Sequence, residues 1–300
     1  MGSFAALTAS AWSSPPIVDD AKFLATMAKE LGAMAAAHQA TNGPTLVKAS
    51  KAAPASIAVE FPEDAPKSVS YETLAKSIYI LGSVGKCSKC PQWHVGVAAT
   101  AWCLTSDGLM VTNHHVLAEA TGAAWGVCGV DGKVLRVLDV LATDAAADVA
   151  IFRVDAKNLC PLTLGTQPAV GSPVSILSHP DGRFFFRSSG EVARYFMAPS
   201  PPIGKTITWM SVTADFARGS SGGPVIDANG AVVGMVSRTQ SIYYNAPHNN
   251  GKETTSDMQQ GPLQMVVKNC VPISALRAIT QADTPRKPQS TPKPETETTN

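Results

Sequence analysis

The sequence predicts an all-β domain, either a barrel or a sandwich, that occupies most of the 300 residues. Short apolar runs follow one another between about residues 71 and 280, and Gly, Asp and Pro separate them. Many short strands with turn residues between them are typical of barrels and sandwiches. The runs span residues 77–81, 94–104, 109–112, 134–141, 149–154, 174–177, 206–212, 231–237 and 263–267.

The charge and hydropathy of the chain argue against nucleic-acid binding and against a membrane span. Basic and acidic residues nearly balance, and the net charge is +1 at pH 7. This balance gives no reason to expect a nucleic acid or an anionic membrane as a partner. No apolar run approaches the roughly 18 residues that a membrane span requires. Residues 4–9 are mildly apolar but lack the length and the preceding basic residue of a signal peptide.

One helix is predicted before the strands, over about residues 19–40. Its apolar side chains recur at spacings of three and four residues, which places them on one helical face. They are Leu24, Met27, Leu31 and Met34. We expect this face to pack on the main domain. The alternatives are a contact between copies of the chain, which would form a homo-oligomer, or a cover over the functional site.

Proline content sets the remaining boundaries. Residues 1–43 form an N-terminal extension, and residues 44–70, with four prolines, indicate an extended linker. The β-domain then covers residues 71–281 and ends in a short helix near residues 273–280. Residues 282–300 are rich in Pro, Lys and Thr and are expected to form a disordered tail.

Three side chains have the character of an acyl-transfer site. Ser221 lies in the run G-S-S-G-G-P at 219–224, and a serine hydroxyl needs an adjacent base to act as a nucleophile. His115 is the candidate base, which accepts the proton and returns it to the leaving group. Asp148 is the candidate carboxylate that orients the imidazole. We expect the backbone N–H groups of Gly219 and Ser221 to hold the developing oxyanion.

These segments resemble those of trypsin-fold serine proteases, and more closely the bacterial HtrA/Do type than the digestive trypsins. The resemblance rests on T-N-H-H-V at 112–116, D-V-A-I-F at 148–152 and G-S-S-G-G-P at 219–224. It implies a chymotrypsin-like fold of two six-stranded antiparallel β-barrels, with a boundary near residues 160–170. Proteases of this type often carry a PDZ domain, and we expect none in this chain.

The family pattern also chooses between neighbouring residues. Its catalytic histidine directly precedes a valine, which selects His115 over His114. Its aspartate directly precedes an apolar strand, which favours Asp148 over Asp144. Ser220 stands where digestive trypsins have the aspartate that pairs with a newly cut N-terminus. We therefore expect no activation of that kind.

The resemblance indicates three substrate-binding residues. Asp215, six positions before Ser221, occupies the place of the carboxylate that selects Lys or Arg in trypsins. HtrA-type enzymes usually differ there and prefer small apolar residues, and the alternative for Asp215 is a structural bond to loop amides. Ser237 resembles the residue whose backbone pairs with an extended substrate, and Arg238 would border the pocket.

The sequence predicts a serine endopeptidase that acts on proteins or peptides through an acyl-enzyme and needs no cofactor. The alternative is a latent or inactive protease fold that serves as a binding or regulatory module. A hydrolase of small esters is disfavoured because Ser221 follows His115 and Asp148 in the chain, whereas the nucleophile-elbow hydrolases have the serine first, on a strand–turn–helix motif. The family resemblance implies a secreted or periplasmic location.

The cysteines leave the redox state open. An even count of six suits an oxidising compartment, but it allows about 15 pairings, and buried free thiols fit equally well. Cys87 and Cys90, with His94 nearby, raise the question of zinc. A structural zinc site takes four ligands, and the sequence has no second C-x-x-C. We predict a local disulfide or two free thiols at this place, and no metal.

Overall fold

The computed structural model describes residues 16–60, 70–87, 89–200, 203–244 and 262–281. The helices in these ranges are α1 (Asp20–Ala36), α2 (Gly43–Ala52), α3 (Tyr71–Ala75), α4 (His114–Ala118) and α5 (Ile273–Gln281). The strands are β1 (Ile78–Lys86), β2 (Trp93–Cys103), β3 (Leu109–Thr112), β4 (Ala124–Cys128), β5 (Val134–Asp144), β6 (Val149–Val154), β7 (Pro173–Ser178), β8 (Phe186–Pro199), β9 (Thr206–Val212), β10 (Pro224–Asp227), β11 (Val232–Tyr243) and β12 (Leu263–Pro272).

The strands form two closed antiparallel barrels of six strands each. The first barrel has the order β1-β2-β3-β6-β5-β4, and the second has the order β10-β11-β12-β9-β8-β7. The predicted all-β fold with two six-stranded barrels is confirmed. The predicted boundary at 160–170 falls in the segment between β6 and β7.

Apolar packing joins the two barrels. Each barrel has its own interior cluster of buried side chains, around Phe152 in the first and Met210 in the second. A third cluster contains buried residues of both barrels, such as Trp102 and Trp209, together with residues of α1 and α5. The junction between the barrels is therefore a core in its own right, and loops that meet there rest on a rigid base.

Helix α1 places its apolar stripe on the first barrel. Asp19 begins the helix, and its carboxylate accepts a hydrogen bond from the backbone N–H of Lys22 at 3.0 Å. Met27 and Leu31 are fully buried, and the helix packs mainly on β4, β2 and β1. Leu24 stays 37% exposed. None of the described helices is long and apolar enough to cross a membrane.

The predicted extended linker at 44–70 is wrong in its first part, because α2 occupies Gly43–Ala52. The side chain of Asn42 accepts a hydrogen bond from the backbone N–H of Thr45 at 2.9 Å, and Pro44 lies in the first turn. A proline is tolerated there because the first N–H groups of a helix have no partner within it. Residues 61–69 of that linker, and the predicted tail at 282–300, lie outside the described ranges.

Candidate active site

Loops from both barrels bring the predicted catalytic residues to one region of the molecule. His115 lies in α4, which directly follows β3, and Asp148 directly precedes β6 of the same barrel. Ser221 precedes β10 of the second barrel, and its carbonyl oxygen accepts a hydrogen bond from the backbone N–H of Thr100 on β2 at 2.9 Å. The site is therefore assembled across the junction of the barrels.

Asp148 holds His115 through two donors. Nδ1 of His115 lies 3.0 Å from each carboxylate oxygen of Asp148, and the backbone N–H of His115 donates to Oδ1 at 3.1 Å. Asp148 has a φ of 58°, a left-handed conformation that is uncommon outside glycine. The side chain of Asn113 donates to the Asp148 carbonyl at 2.9 Å and supports this turn. With Nδ1 engaged, Nε2 is the nitrogen that can exchange a proton with a substrate group.

Ser237 connects the aspartate to the proposed nucleophile. Its hydroxyl donates to Oδ2 of Asp148 at 2.6 Å, and its backbone carbonyl accepts from the hydroxyl of Ser221 at 3.4 Å. Among the described residues, Ser221 makes no hydrogen bond to His115. Serine–histidine hydrogen bonds are often long before substrate binds. The Ser221 hydroxyl must therefore leave the Ser237 carbonyl before it can give its proton to the imidazole.

The environment of His115 favours a protonated imidazole. Burial is the largest single effect and by itself lowers the pKa of His115. The hydrogen bond to Asp148, its negative charge and that of Glu119 together outweigh burial, and the pKa of His115 is raised above its ordinary value. A raised pKa suits a group that must accept a proton from a serine hydroxyl.

The backbone around Gly219 has the form of an anion-binding loop. Gly219 has a φ of +92°, and a Cβ at this position would lie 2.4 Å from the carbonyl oxygen of His179. The backbone N–H of Asp181 donates to the carbonyl of Arg218 at 2.6 Å, which orients the peptide bond before Gly219. Within the described part of the chain, the N–H groups of Gly219 and Ser221 have no acceptor. Both N–H groups can therefore donate to an incoming acceptor.

Thr100 is a positioning residue that the sequence analysis missed. It is fully buried on β2, and its hydroxyl donates to the carbonyl of Gly219 at 3.0 Å and accepts from the backbone N–H of His179 at 3.2 Å. Together with the bond from its N–H to the carbonyl of Ser221, these contacts hold the loop around Ser221 to the first barrel. Gly222 makes this approach feasible, since a Cβ there would lie 2.1 Å from the Thr100 carbonyl.

The two competing residues have other surroundings. Nδ1 of His114 is buried and has no hydrogen-bond partner in the described part of the chain. Burial lowers the pKa of His114, although the charge of Asp148 opposes the shift. Oδ1 of Asp144 accepts hydrogen bonds from the backbone N–H groups of Ala146 and Ala147, both at 2.9 Å. Asp144 therefore caps a turn, and the geometry brings Asp148 and not Asp144 to His115.

The other two predicted substrate-binding residues, Asp215 and Arg238, lie in different surroundings. The Asp215 side chain is 86% exposed and lies 3.3 Å from Nζ of Lys268. Both residues line a cavity of about 520 Å³, to which none of the three candidate catalytic residues contributes. The guanidinium of Arg238 lies 4.2 Å from the centre of the Trp209 ring, and burial lowers the pKa of Arg238.

Comparisons with known proteins agree with this architecture. Residues 99–235 match the family model of the trypsin-like peptidase domain. The chain is 30% identical over 155 residues to "Serine protease Rv3671c" of Mycobacterium tuberculosis (strain ATCC 25618 / H37Rv). The aligned region covers 50% of this chain and 38% of that protein. It is 30% identical over 144 residues to "Probable periplasmic serine endoprotease DegP-like" of Pseudomonas putida (strain W619), with 45% and 28% covered.

A solved structure shows the same fold. The chain aligns with "HtrA-type protease AlgW with decapeptide" at a TM-score of 0.52 and 20% identity, over 70% of this chain and 66% of the other. The chain spans less than two fifths of the length of the curated relatives named above, at 38% and 28%. The similarity therefore concerns the double-barrel domain.

Replacing Gly219 should disable the oxyanion loop without unfolding the protein. We expect Gly219→Ala to slow the reaction of Ser221 with a fluorophosphonate by about 10²–10³-fold, because the loop must move to relieve the contact with His179. Gly171→Ala is the matched control: its φ is +85°, but nothing lies within 4 Å of a Cβ there. Equal labelling rates in the two variants would contradict the assignment of the Gly219 and Ser221 N–H groups to oxyanion binding.

The raised pKa of His115 should depend on Asp148. We expect Asp148→Asn to lower that pKa, as measured by NMR titration of the imidazole, while the buried His179, with a pKa of about 3, stays neutral in both proteins. Since folding raises the His115 pKa, its stabilising contribution is present below the unfolded value of about 6.5 and is lost as pH rises through the folded pKa. The denaturant midpoint of wild type should therefore fall as the pH rises across this range, and the midpoint of Asp148→Asn should not show this fall. An unchanged His115 titration in Asp148→Asn would disprove the coupling.

Proposed function

We propose that this chain, which carries a trypsin-like peptidase domain with an HtrA-type fold, is a serine endopeptidase that works through an acyl-enzyme. One observation carries the proposal: the hydrogen-bonded array Ser237–Asp148–His115 lies next to Ser221, in whose loop two backbone N–H groups have no acceptor among the described residues. The match of residues 99–235 to the trypsin-like peptidase domain supports it.

The reaction follows from the positions of these groups. Ser221 Oγ attacks the carbonyl carbon of a peptide bond, and its proton passes to Nε2 of His115. Asp148 stabilises the resulting imidazolium, and the N–H groups of Gly219 and Ser221 hold the negative oxygen. The imidazolium then protonates the leaving amine, which departs and leaves an acyl group on Ser221. A water molecule, deprotonated by His115, hydrolyses this ester and restores the serine.

The substrate class follows from Ser237 and its strand. Its backbone carbonyl accepts a hydrogen bond from the Ser221 hydroxyl, so a substrate that displaces this bond can pair with β11 as an added strand. Such pairing requires an extended chain, and we therefore propose unfolded or flexible protein segments as substrates. The names of the DegP-like relatives support a secreted or periplasmic location.

A homo-oligomer built through α1 is also a proposal. Because Met27 and Leu31 are already buried in their own chain, such a contact would have to use residues of the helix that remain exposed, such as Leu24 at the edge of the same face. The second candidate function, a latent or inactive protease fold used for binding, is favoured by one observation. The Ser221 hydroxyl donates to Ser237 and not to His115.

Labelling of the nucleophile distinguishes the two functions. We expect a fluorophosphonate to modify wild type at Ser221, as mapped by mass spectrometry of its peptides. Ser221→Ala should lose the label, and its hydrolysis of an unfolded protein substrate should fall by about 10⁶-fold. Ser241→Ala, an exposed serine on β11, is the matched control. A folded wild type that takes up no label would refute the peptidase and support the binding module.

The ion pair with Lys268 should weaken any selection of basic residues by Asp215. We propose that wild type prefers small apolar residues before the cut, because the Asp215 charge is already compensated. Lys268→Met should then increase cleavage after Lys or Arg in a peptide library by up to about fivefold, the effect of about 1 kcal/mol. Adding Asp215→Asn should cancel the gain, and Lys205→Met, an exposed lysine, should have no effect. No increase in Lys268→Met would exclude Asp215 from substrate selection.

A further inference from the structure

A cluster of metal-binding side chains lies at the tip of the β1–β2 hairpin. Sγ of Cys90 lies 2.8 Å from Nε2 of His94, and Sγ of Cys87 lies 3.2 Å from Sγ of Cys90 and 3.7 Å from the same imidazole nitrogen. Both cysteines carry free thiols. Their three ligand atoms all lie within 4.8 Å of one another.

We propose that Cys87, Cys90 and His94 form a site for a zinc ion, bound by two thiolates and one imidazole. This proposal departs from the expectation of a disulfide or two free thiols without metal. Thiolate and imidazole are the ligands that Zn²⁺ prefers in proteins, and hard ions such as Mg²⁺ and Ca²⁺ require oxygen ligands instead. The inference is independent of the proposed peptidase activity.

The spacing of the ligand atoms fits a tetrahedral ion after small movements. With zinc–sulfur and zinc–nitrogen bonds of ordinary length, two thiolates lie about 3.8 Å apart, and a thiolate lies about 3.6 Å from the imidazole nitrogen. The observed separations of 3.2, 3.7 and 2.8 Å differ from these by less than about 1 Å. Cys87 and His94 are exposed, so their side chains can move apart without disturbing a core.

The hairpin itself brings the ligands together. Lys86 pairs with Trp93 at the end of the two strands, and the ammonium of Lys86 lies 5.0 Å from the centre of the Trp93 ring. This closure places His94, the second residue of β2, beneath the two cysteines of the connecting turn. No fourth Cys, His, Asp or Glu among the described residues joins the cluster. Water can serve as the fourth ligand of the ion.

The hairpin also connects the metal site to the candidate active site. Beyond His94, the residues Val95, Gly96 and Ala98 line a cavity of about 340 Å³, together with Arg218 and Gly219 of the oxyanion loop. Strand β2 then continues to Thr100, which holds that loop. A bound ion would therefore stabilise the turn that closes one wall of this cavity.

A cobalt titration tests the site without measuring catalysis. The full chain carrying Ser221→Ala is reduced with a phosphine, freed of metal by a chelator and titrated with Co²⁺. We expect one Co²⁺ per chain, with thiolate charge-transfer absorption and tetrahedral d–d bands that disappear when Zn²⁺ is added. Cys87→Ser, Cys90→Ser and His94→Ala should each weaken binding by at least about tenfold. Cys160→Ser, a cysteine outside the cluster, should bind as the parent does.

Two results would overturn the metal site. One is the absence of these bands in the reduced, folded protein, or bands that persist unchanged in Cys87→Ser and His94→Ala. The other is a Cys87–Cys90 disulfide in freshly isolated protein, found by peptide mapping without reductant, together with no zinc by elemental analysis. Circular dichroism of each variant checks its folding, and the exposed positions of Cys87 and His94 predict that these two variants fold normally.

Discussion

The hydrogen bond from Ser237 to Asp148 crosses the junction of the two barrels, and the geometry of the candidate site depends on it. Asp148 is a buried residue with a strained backbone, and a buried carboxylate is costly unless its oxygens accept hydrogen bonds. His115 supplies two donors from the first barrel, and Ser237 supplies one from the second. Moving one barrel relative to the other would remove a donor and leave a buried charge poorly compensated, so the charge itself keeps the barrels in register.

Thr100 provides a second connection of a different kind. Its bonds to the carbonyls of Ser221 and Gly219 act on the backbone of the nucleophile loop, whereas the Asp148 array acts on side chains. The N–H groups of Gly219 and Ser221 belong to the neighbouring peptide units, whose carbonyls at Arg218 and Ser220 accept hydrogen bonds from the backbone N–H groups of Asp181 and Gly223. Among the described residues, the N–H groups of Gly219 and Ser221 have no acceptor. One short segment therefore carries both the bonds to the first barrel and the two N–H groups of the proposed oxyanion hole, and the apolar cluster around Trp102 and Trp209 gives it a rigid base.

The sequence predicted the parts of this structure that have a local signature. Ser221, His115 and Asp148 lie in motifs whose spacing is characteristic, whereas Thr100 is a β-branched residue in an apolar strand and looks like any core position. Strand β8 does not appear as an apolar run in the sequence, because only Val192 among its residues is buried. Helix α2 is not predicted from the sequence because Pro44 breaks a helix in most positions. With Asn42 as the N-cap, Pro44 lies in the first turn, where a proline is compatible with a helix. Contacts between distant segments, such as that of Asp215 with Lys268, leave no trace in local sequence.

Ser220 shows how this chain can hold its oxyanion loop without a charged pair. Its hydroxyl accepts a hydrogen bond from Ser178 at 3.0 Å, so no buried carboxylate awaits an ammonium group. The neighbouring loop is secured by α1 instead: Asp20 accepts from the backbone N–H of Phe184 at 2.8 Å, and the N–H of Phe185 donates to Nδ1 of His179 at 3.0 Å. Burial keeps His179 neutral, with a pKa of about 3, so this acceptor persists at physiological pH. Hydrogen bonds at Ser220, Asp20 and His179 therefore hold these two loops in this chain.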